Sequence, residues 1–563
     1  MDTELETLEQ ALYRVRQMRN AKSGACSVPR EVLVHIFECL QDMWPPRRGY
    51  AEEDPIGLEP DFYSGWICVT HVCSFWREVA LQVPSLWSKP TLDILSLPHQ
   101  YIPAILFRSH GASLDLRLQW DNKFDEIIDD SGLNAWLSPS ILRRARRIDC
   151  YAGILIIQLV AARLPPTREV DQLRELDVYF DDHANQSPDL PAPLKNLMGV
   201  TKLSLQHCQV PWKSSLISSK LTYLKLWQGE GGPRPSYDEV SHLIALLQSL
   251  ETMFLAEVVP PAAPSGSKIS ALNFPASLCR LTIYTFNVET TMDALNFASR
   301  IRTPPQCLRH YSLSSFRKGE HPNVALVDDA LGRILPNLSF TDCGHINAQL
   351  LEITSISLRI IGSPVTLPLI PISPWDYPEL EPGSIVNDLT LPGFTTETPP
   401  VNVRLDHYLP LIALEHLKVI ALDASTVRHM ARFDLWKHFL RAHNVRRLGV
   451  KGLTSAHKHL ITLLNTLGRL HGHGTGETHI LFPQLEMLLL PVLGDEVQHS
   501  DLIFTLVDLV HARREQGSPL QELVVPEETA DWAVWGTLRN SLKVTPIKYP
   551  MHRSPLVPDS PIM

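Results

Sequence analysis

The spacing of apolar residues along this 563-residue chain divides it into stretches of different period. In residues 2–20, Leu5, Leu8, Leu12 and Val15 recur at three- and four-residue spacing among charged neighbours, which predicts a helix. Two heptads fall short of the three or four that define a coiled coil. The expectation is therefore a helix packed beside the following segment, with a dimer seam as the other reading. Residues 21–27 form a small-residue linker. From Val28, the string VPREVLVHIFECL sets Val32, Leu33, Ile36, Phe37 and Leu40 on one stripe of a helix of roughly three turns. Pro29 suits a first turn, where its missing N–H costs nothing, and Glu31 lies near the positive end of the helix dipole. A polar interruption runs from Gln41 to Ser64. In GWICVTHVCSFWREVALQVPSLW beyond it, Val69, Val72, Cys73, Trp76, Val79 and Ala80 predict a second helix, ended by Pro84, with Trp87 in a short extended piece. Two helices of this length enclose no core of their own. Stripes so rich in large apolar side chains leave surface for a second protein to cover.

After residue 114 the period shortens to apolar-x-x-apolar-x-apolar. It occurs at Ala145/Ile148/Cys150, Leu173/Leu176/Val178, Val200/Leu203/Leu205, Leu221/Leu224/Leu226, Leu250/Met253/Leu255 and Leu278/Leu281/Ile283. Further copies stand at Leu308/Tyr311/Leu313, Leu335/Leu338/Phe340, Leu417/Ile420/Leu422, Val445/Leu448/Val450, Leu485/Leu488/Leu490 and Leu520/Leu523/Val525. Each copy predicts a short strand with one face in the core. The segments between, such as Tyr237 to Leu250, carry a helical apolar period. One strand plus one helix cannot bury its face alone, so neighbours are expected to stack into a solenoid. A single such string is common in any α/β protein, whereas a near-regular series is not. Most starts lie about 27–30 residues apart, which is similar to the upper end of the leucine-rich-repeat period and implies an irregular horseshoe.

Proline breaks the series. Ser363 to Pro400 is expected to be a long loop, because its many prolines exclude helix and central strand. Val258 to Lys268 reads as a second loop and Thr545 to Met563 as a tail. The expected organisation is an N-terminal helix and linker over 1–27, a helical module over 28–90 with a loop insertion at 41–64, a repeat array over 91–544 with a proline-rich insert at 363–400, and a tail over 545–563. The expected fold class is α/β: a small all-α module followed by an irregular leucine-rich-repeat-like α/β solenoid.

The module has a more specific likeness. Val28-Pro29, Glu31, Leu33, Ile36-Phe37, Leu40, Val72-Cys73, Trp76-Arg77 and Leu86-Trp87 occur in the order and number of the F-box pattern. The stretch resembles the F-box, and the chain looks similar to the F-box-like proteins of mushroom-type fungi. The resemblance implies docking on the Skp-type adaptor of cullin–RING ubiquitin ligases through Pro29, Ile36, Phe37, Leu40, Val72, Trp76 and Trp87. One departure is plain: the family joins its first two helices by a few residues, whereas Gln41 to Ser64 intervene here. The likeness covers about a tenth of the chain.

Composition narrows the remaining chemistry. Hydrophobic residues make 44% and charged residues 20%, as in folded proteins. A formal net charge of -10 argues against non-specific nucleic-acid binding, which needs a basic surface. The N-terminal MDTELETLEQ does not read as a signal peptide, and the apolar stretch Ile154 to Val160 is far short of a membrane span. The 9 cysteines have neither metal-ligand spacing nor obvious pairing, as expected for reduced thiols of the cytosol or nucleus. His471, His473 and His479 fall in a glycine-rich stretch without a recognised zinc spacing and read as a solvated loop. Gly229 to Gly232 lacks the Lys-Ser/Thr of a phosphate loop. Arg143, Arg144, Arg146 and Arg147 read as a solvated helix end. No cofactor, metal or catalytic motif emerges.

The expected function is therefore that of an adaptor rather than an enzyme. The F-box-like module would bind the Skp-type adaptor and, through it, a cullin, while the repeats hold a substrate protein. The alternative is a repeat scaffold acting outside any ligase. In the repeat template, residues between the apolar positions face away from the core. Those positions offer Tyr179, Tyr223, Trp227, Phe254 and Tyr284 as a substrate-binding aromatic patch, with Lys202 and Gln206 among them.

Overall fold

The computed structural model describes residues 2–48, 62–89, 94, 97, 99–119, 130–166, 169–181, 187–229, 232–262, 271–314, 324–340, 347–354, 357–363, 385–390, 405–451, 457–472 and 478–548. It is mixed α/β, and it divides into two compact units. The first comprises residues 1–233 with 245–251, and the second residues 234–244 with 252–563. No described helix is long and apolar enough to cross a membrane.

The first unit opens with helix α1 (Asp2–Ala21). The helix forms where predicted, but its stripe is not packed: Leu5, Leu8, Leu12 and Val15 are 53–64% exposed. Helix α2 (Arg30–Met43) follows Pro29, whose fixed φ of -53° and extended ψ of 147° lead into the first turn. Its predicted stripe divides in two. Leu33 and Phe37 are buried, whereas Val32 and Ile36 point to solvent. Gln41 is buried at the end of the inner stripe, and its Nε2 donates to the Leu86 carbonyl at 2.8 Å, tying the module's two halves together.

The second predicted helix is not continuous. A 3-10 segment, Gly65–His71, is separated from α3 (Ser74–Leu81) by Cys73, which is fully extended (φ -158°, ψ 170°). Its Sγ accepts the Trp76 N–H at 3.4 Å and so caps α3, which spares one orphan donor. Val69 and Val72 therefore do not share a helix with Trp76. Pro84 also acts differently from expectation. It opens α4 (Pro84–Ser88) instead of ending a helix, and Trp87 is helical, not extended. The expected 41–64 insertion begins inside α2, and Arg47–Arg48 pairs antiparallel with Phe62–Tyr63. Gly65 closes it at φ +52°; a Cβ there would lie 2.5 Å from the Trp44 carbonyl oxygen, so only glycine fits.

Beyond the module, β1 (Leu114–Gln119), β2 (Ala145–Ala152), β3 (Glu175–Phe180), β4 (Lys202–Gln206) and β5 (Tyr223–Trp227) form a parallel sheet in chain order. One face is buried, with Leu116, Leu118, Ile148, Cys150, Leu176, Val178, Leu203, Leu205, Leu224 and Leu226. Burying such a side chain contributes about 1.5–3 kcal/mol. The helix after β2, Ile154–Arg163, buries Ile156, Ile157, Val160 and Ala161.

The second unit continues with β6 (Thr252–Ala256), β7 (Arg280–Tyr284), β8 (Leu308–Ser312), β9 (Asn347–Ile353), β10 (Ser357–Ser363) and β11 (Ile385–Thr390). It ends with β12 (Val419–Asp423), β13 (Arg447–Lys451), β14 (Met487–Leu489), β15 (Glu522–Pro526) and β16 (Lys543–Ile547). Spatial order departs from chain order once: β8 pairs with β11, then come β10, β9 and β12. Among the described strands of this sheet, β10 alone runs antiparallel to its neighbours. Three expectations are corrected here. Ile385–Thr390, inside the stretch expected to be a loop, is a strand paired on both sides; its sequence IVNDLT carries none of the prolines. The remainder, 364–384 and 391–400, lies outside the described residues. Leu335 and Leu338 belong to a helix, Val324–Leu338, whose apolar period also supplies the three-residue step. Thr545 to Ile547, expected in the tail, are part of β16.

Charges line one row of this sheet. His310, Asp388, Arg359 and Glu352 follow one another across β8, β11, β10 and β9. Arg359 reaches Asp388 at 2.8 Å and Glu352 at 3.8 Å. Burial pushes the Asp388 carboxyl up, but the His310 hydrogen bond and the Arg359 charge outweigh it and hold the group below its ordinary range. A carboxylate depressed in the folded state stabilises it above the unfolded-state value, and that stability is lost as pH falls through the folded value. Acid unfolding of Asp388→Asn, followed against pH, should therefore be less steep than that of the wild type; equal slopes would remove the row from the acid response.

Candidate protein-binding surfaces

The first surface is the outer side of the helical module. Val32, Ile36, Cys39 and Met43 recur at helical spacing on the outward face of α2, all exposed, and Trp44 and Val72 are exposed nearby in sequence to α2 and α3. Of the residues expected to meet an adaptor, Pro29, Ile36 and Val72 are solvent-facing, and Leu40 and Trp76 are half-buried. Phe37 and Trp87 are 0% and 1% exposed, so they hold the module together from inside and present no surface. The Trp76 ring meets Phe37 edge-on at 5.4 Å and 62°, and its Nε1–H donates to the Ala25 carbonyl at 3.1 Å. Trp87 packs on Trp66 at 5.2 Å and donates to the Ala80 carbonyl at 2.8 Å. Val32, Met43 and Trp44 were not among the expected contacts. For Val32 and Met43 the signal was present in the sequence, a second stripe displaced from the Leu33–Phe37 stripe by one residue, whereas Trp44 lies past the end of α2.

The second surface is the polar face of β1–β5. Parallel register arranges its side chains in three rows. The first is Asp115, Arg147, Glu175, Lys202 and Tyr223. The second is Arg117, Asp149, Asp177, Ser204 and Lys225. The third is Gln119, Tyr151, Tyr179, Gln206 and Trp227. Charges in the first two rows are largely spent on one another, with Arg147–Asp149 at 2.8 Å, Lys202–Glu175 at 2.9 Å and Arg117–Asp149 at 3.3 Å. Burial pushes Glu175 up, but Lys202 and Arg147 hold it below its ordinary range. Burial wins at Asp149 and raises it despite Arg147. The arginine cluster expected at a solvated helix end is consumed the same way: Arg143 pairs with Glu169 at 2.6 Å and Arg146 with Asp115 at 2.9 Å.

The third row carries a ladder of rings. Tyr151 and Tyr179 stack at 4.0 Å with 8° between planes. His207 stands 5.0 Å from Tyr179 and 5.1 Å from Trp227. His207, not the strand residue Gln206, completes the ladder, because the backbone turns left-handed there (φ 56°) and the His207 N–H donates to the Trp227 carbonyl at 2.6 Å. Gln206 is buried, bridging Asp177 at 3.2 Å and Ser204 at 3.1 Å. Lys225 Nζ lies 5.6 Å from the Trp227 ring centre, and burial lowers its pKa.

Of the expected aromatic patch, the structure brings Tyr179 and Trp227 onto one ladder. Tyr223 lies in the first row, apart from it. Phe254 and Tyr284 belong to the second unit and to different rows, opposite Thr282 and Ala256 respectively. Tyr284 packs on Phe286 at 4.7 Å. Tyr151 was missed although it holds the same template position as Tyr179. His207 was not legible, since nothing local announces its positive φ.

No group of three His, Cys, Asp or Glu side chains suited to a metal occurs among the described residues. His471 and His479 face each other across a short antiparallel ribbon rather than a loop, and His473 lies outside the described residues. Burial pushes the Cys150, Cys208 and Cys307 thiols up to about 12, so they stay protonated and unreactive. No protein-family model matches this chain, and no curated protein matches it in sequence.

Proposed function

We propose that this protein is a substrate-recognition adaptor of a Skp–cullin–F-box ubiquitin ligase. The outer side of the F-box-like module docks on the Skp-type adaptor, and the polar face of the leucine-rich-repeat-like array holds a substrate protein. The observation that carries the reading is the division of α2: Leu33 and Phe37 close the module's core while Val32, Ile36, Met43 and Val72 are left uncovered. Scattered apolar residues on a surface are ordinary, but a stripe this ordered suits a partner. No catalytic group is required. Holding a substrate beside a charged ubiquitin carrier raises its effective concentration.

The test is a pull-down of the full chain. Ile36→Glu combined with Val72→Glu should abolish recovery of the Skp-type adaptor and its cullin. The melting temperature should stay close to wild type, because surface changes usually move stability by no more than about 0.5 kcal/mol. Undiminished recovery would defeat the docking assignment, and recovery of adaptor without cullin from the wild type would favour a scaffold outside the ligase. The substrate arm has its own test. Tyr179→Ala with Trp227→Ala should weaken capture of proteins that accumulate on the wild-type chain under proteasome inhibition by at least about tenfold, as for hot-spot aromatics, with adaptor binding unchanged. Equal capture would move recognition away from the ladder.

A further inference from the structure

We infer that α1 is a self-association helix which pairs antiparallel with α1 of a second copy of this chain. Leu5, Leu8, Leu12 and Val15, together with Met18, are 53–66% exposed, so the helix spends none of its apolar stripe on its own unit. The stripe is the narrow kind, one side chain every three or four residues, which suits a two-helix seam better than a broad surface. At 20 residues the helix is about 30 Å long, and helices in proteins draw most of their stability from packing an amphipathic face, which this one leaves exposed.

The identity of the partner follows from charge. Glu4, Glu6 and Glu9 occupy the first half of the helix, and Arg14, Arg16 and Arg19 the second. Laid parallel, two copies would set acid beside acid and base beside base. Laid antiparallel, each acidic half meets a basic half. The apolar positions then pair in register: Leu5 meets Val15 of the other copy, and Leu8 meets Leu12. Glu9 and Arg16 occupy the same flanking position of the heptad, so each Glu9 faces the other copy's Arg16, twice by symmetry. A partner helix from another protein would need this same polarity in reverse, which the chain itself already supplies. An anionic lipid surface fits poorly, since the acidic half of the helix would be repelled. The inference does not depend on what the module or the ring ladder binds.

The experiment measures the mass of the full-length chain by light scattering across a concentration series. Wild type should rise from 63.4 kDa toward twice that mass with concentration, while Leu8→Glu and Leu12→Glu stay at a single-chain mass with unchanged melting of the rest of the protein. A single-chain mass for the wild type throughout overturns the proposal, and so does a dimer that survives both glutamates. Orientation is read by oxidative cross-linking against a wild-type background. A mixture of Leu5→Cys and Val15→Cys chains should give the mixed disulfide. A cross-link in Leu5→Cys alone would mean parallel pairing and overturn the antiparallel arrangement.

Discussion

Arg513→Leu should cost the second unit at least about 3 kcal/mol, a loss read from denaturant titration of the full chain. Arg513 lies on the helix Ser500–Glu515 and is 0% exposed. Its guanidinium donates to four main-chain carbonyls: Phe482 at 2.7 Å, Ser518 and Leu481 at 3.1 Å, and Leu467 at 3.3 Å. Those acceptors end three separate segments, so one side chain fastens them together. Burial lowers its pKa to about 10, still far above neutrality, so the group remains a charged donor in the folded protein. Leucine fills part of the volume but leaves four buried carbonyls without a partner, each costing about 1–3 kcal/mol before relaxation. Arg513→Lys should recover only part of the loss, because a single ammonium cannot reach all four. A leucine variant within about 0.5 kcal/mol of wild type would show that water replaces the guanidinium.

Trp87→Ala should unfold the helical module and abolish adaptor recovery by a different route from Ile36→Glu. Removing a buried tryptophan or phenylalanine costs about 3–5 kcal/mol. Trp87 also loses its packing on Trp66 and its bond to the Ala80 carbonyl. Limited proteolysis separates the two routes. Trp87→Ala should be cut within residues 62–89, whereas the Ile36→Glu and Val72→Glu chain should resist like wild type. Resistance in both would mean that the module survives loss of its central ring.

The sequence was informative wherever a residue's role depends on local period. All but one of the apolar-x-x-apolar-x-apolar copies fall on strands. The exception, Leu335/Leu338/Phe340, lies where a helical stripe contains the same three-residue step. Period was silent on tertiary choices. It could not show which half of the α2 stripe would turn inward, because Leu33 and Ile36 are equally apolar and the choice is made by packing within the folded module, where Phe37 meets Trp76. It could not reveal that Cys73 would cap α3, since an extended cysteine between two helical turns leaves no compositional mark. The strand Ile385–Thr390 was hidden by its surroundings: proline density argues correctly against regular structure around it and says nothing about six residues that contain none. For the ring ladder, Tyr179 and Trp227 followed from the template, whereas His207 joins it through a backbone conformation that no pattern announces.

The strand order has a consequence for the newborn chain. In the first unit each strand from β1 to β5 lies beside the one made just before it, so every new strand leaving the ribosome finds its seat already built. Assembly there can keep pace with synthesis, without distant contacts to wait for. The second unit cannot be finished that way. β8 is complete at Ser312, yet its next neighbour, β11, begins only at Ile385, and β9 and β10 must be made in between. During that interval β8 exposes an unpaired edge, the kind of surface that invites pairing with another chain. A chaperone that shields nascent edges would matter most for this protein while residues 313–384 are being translated.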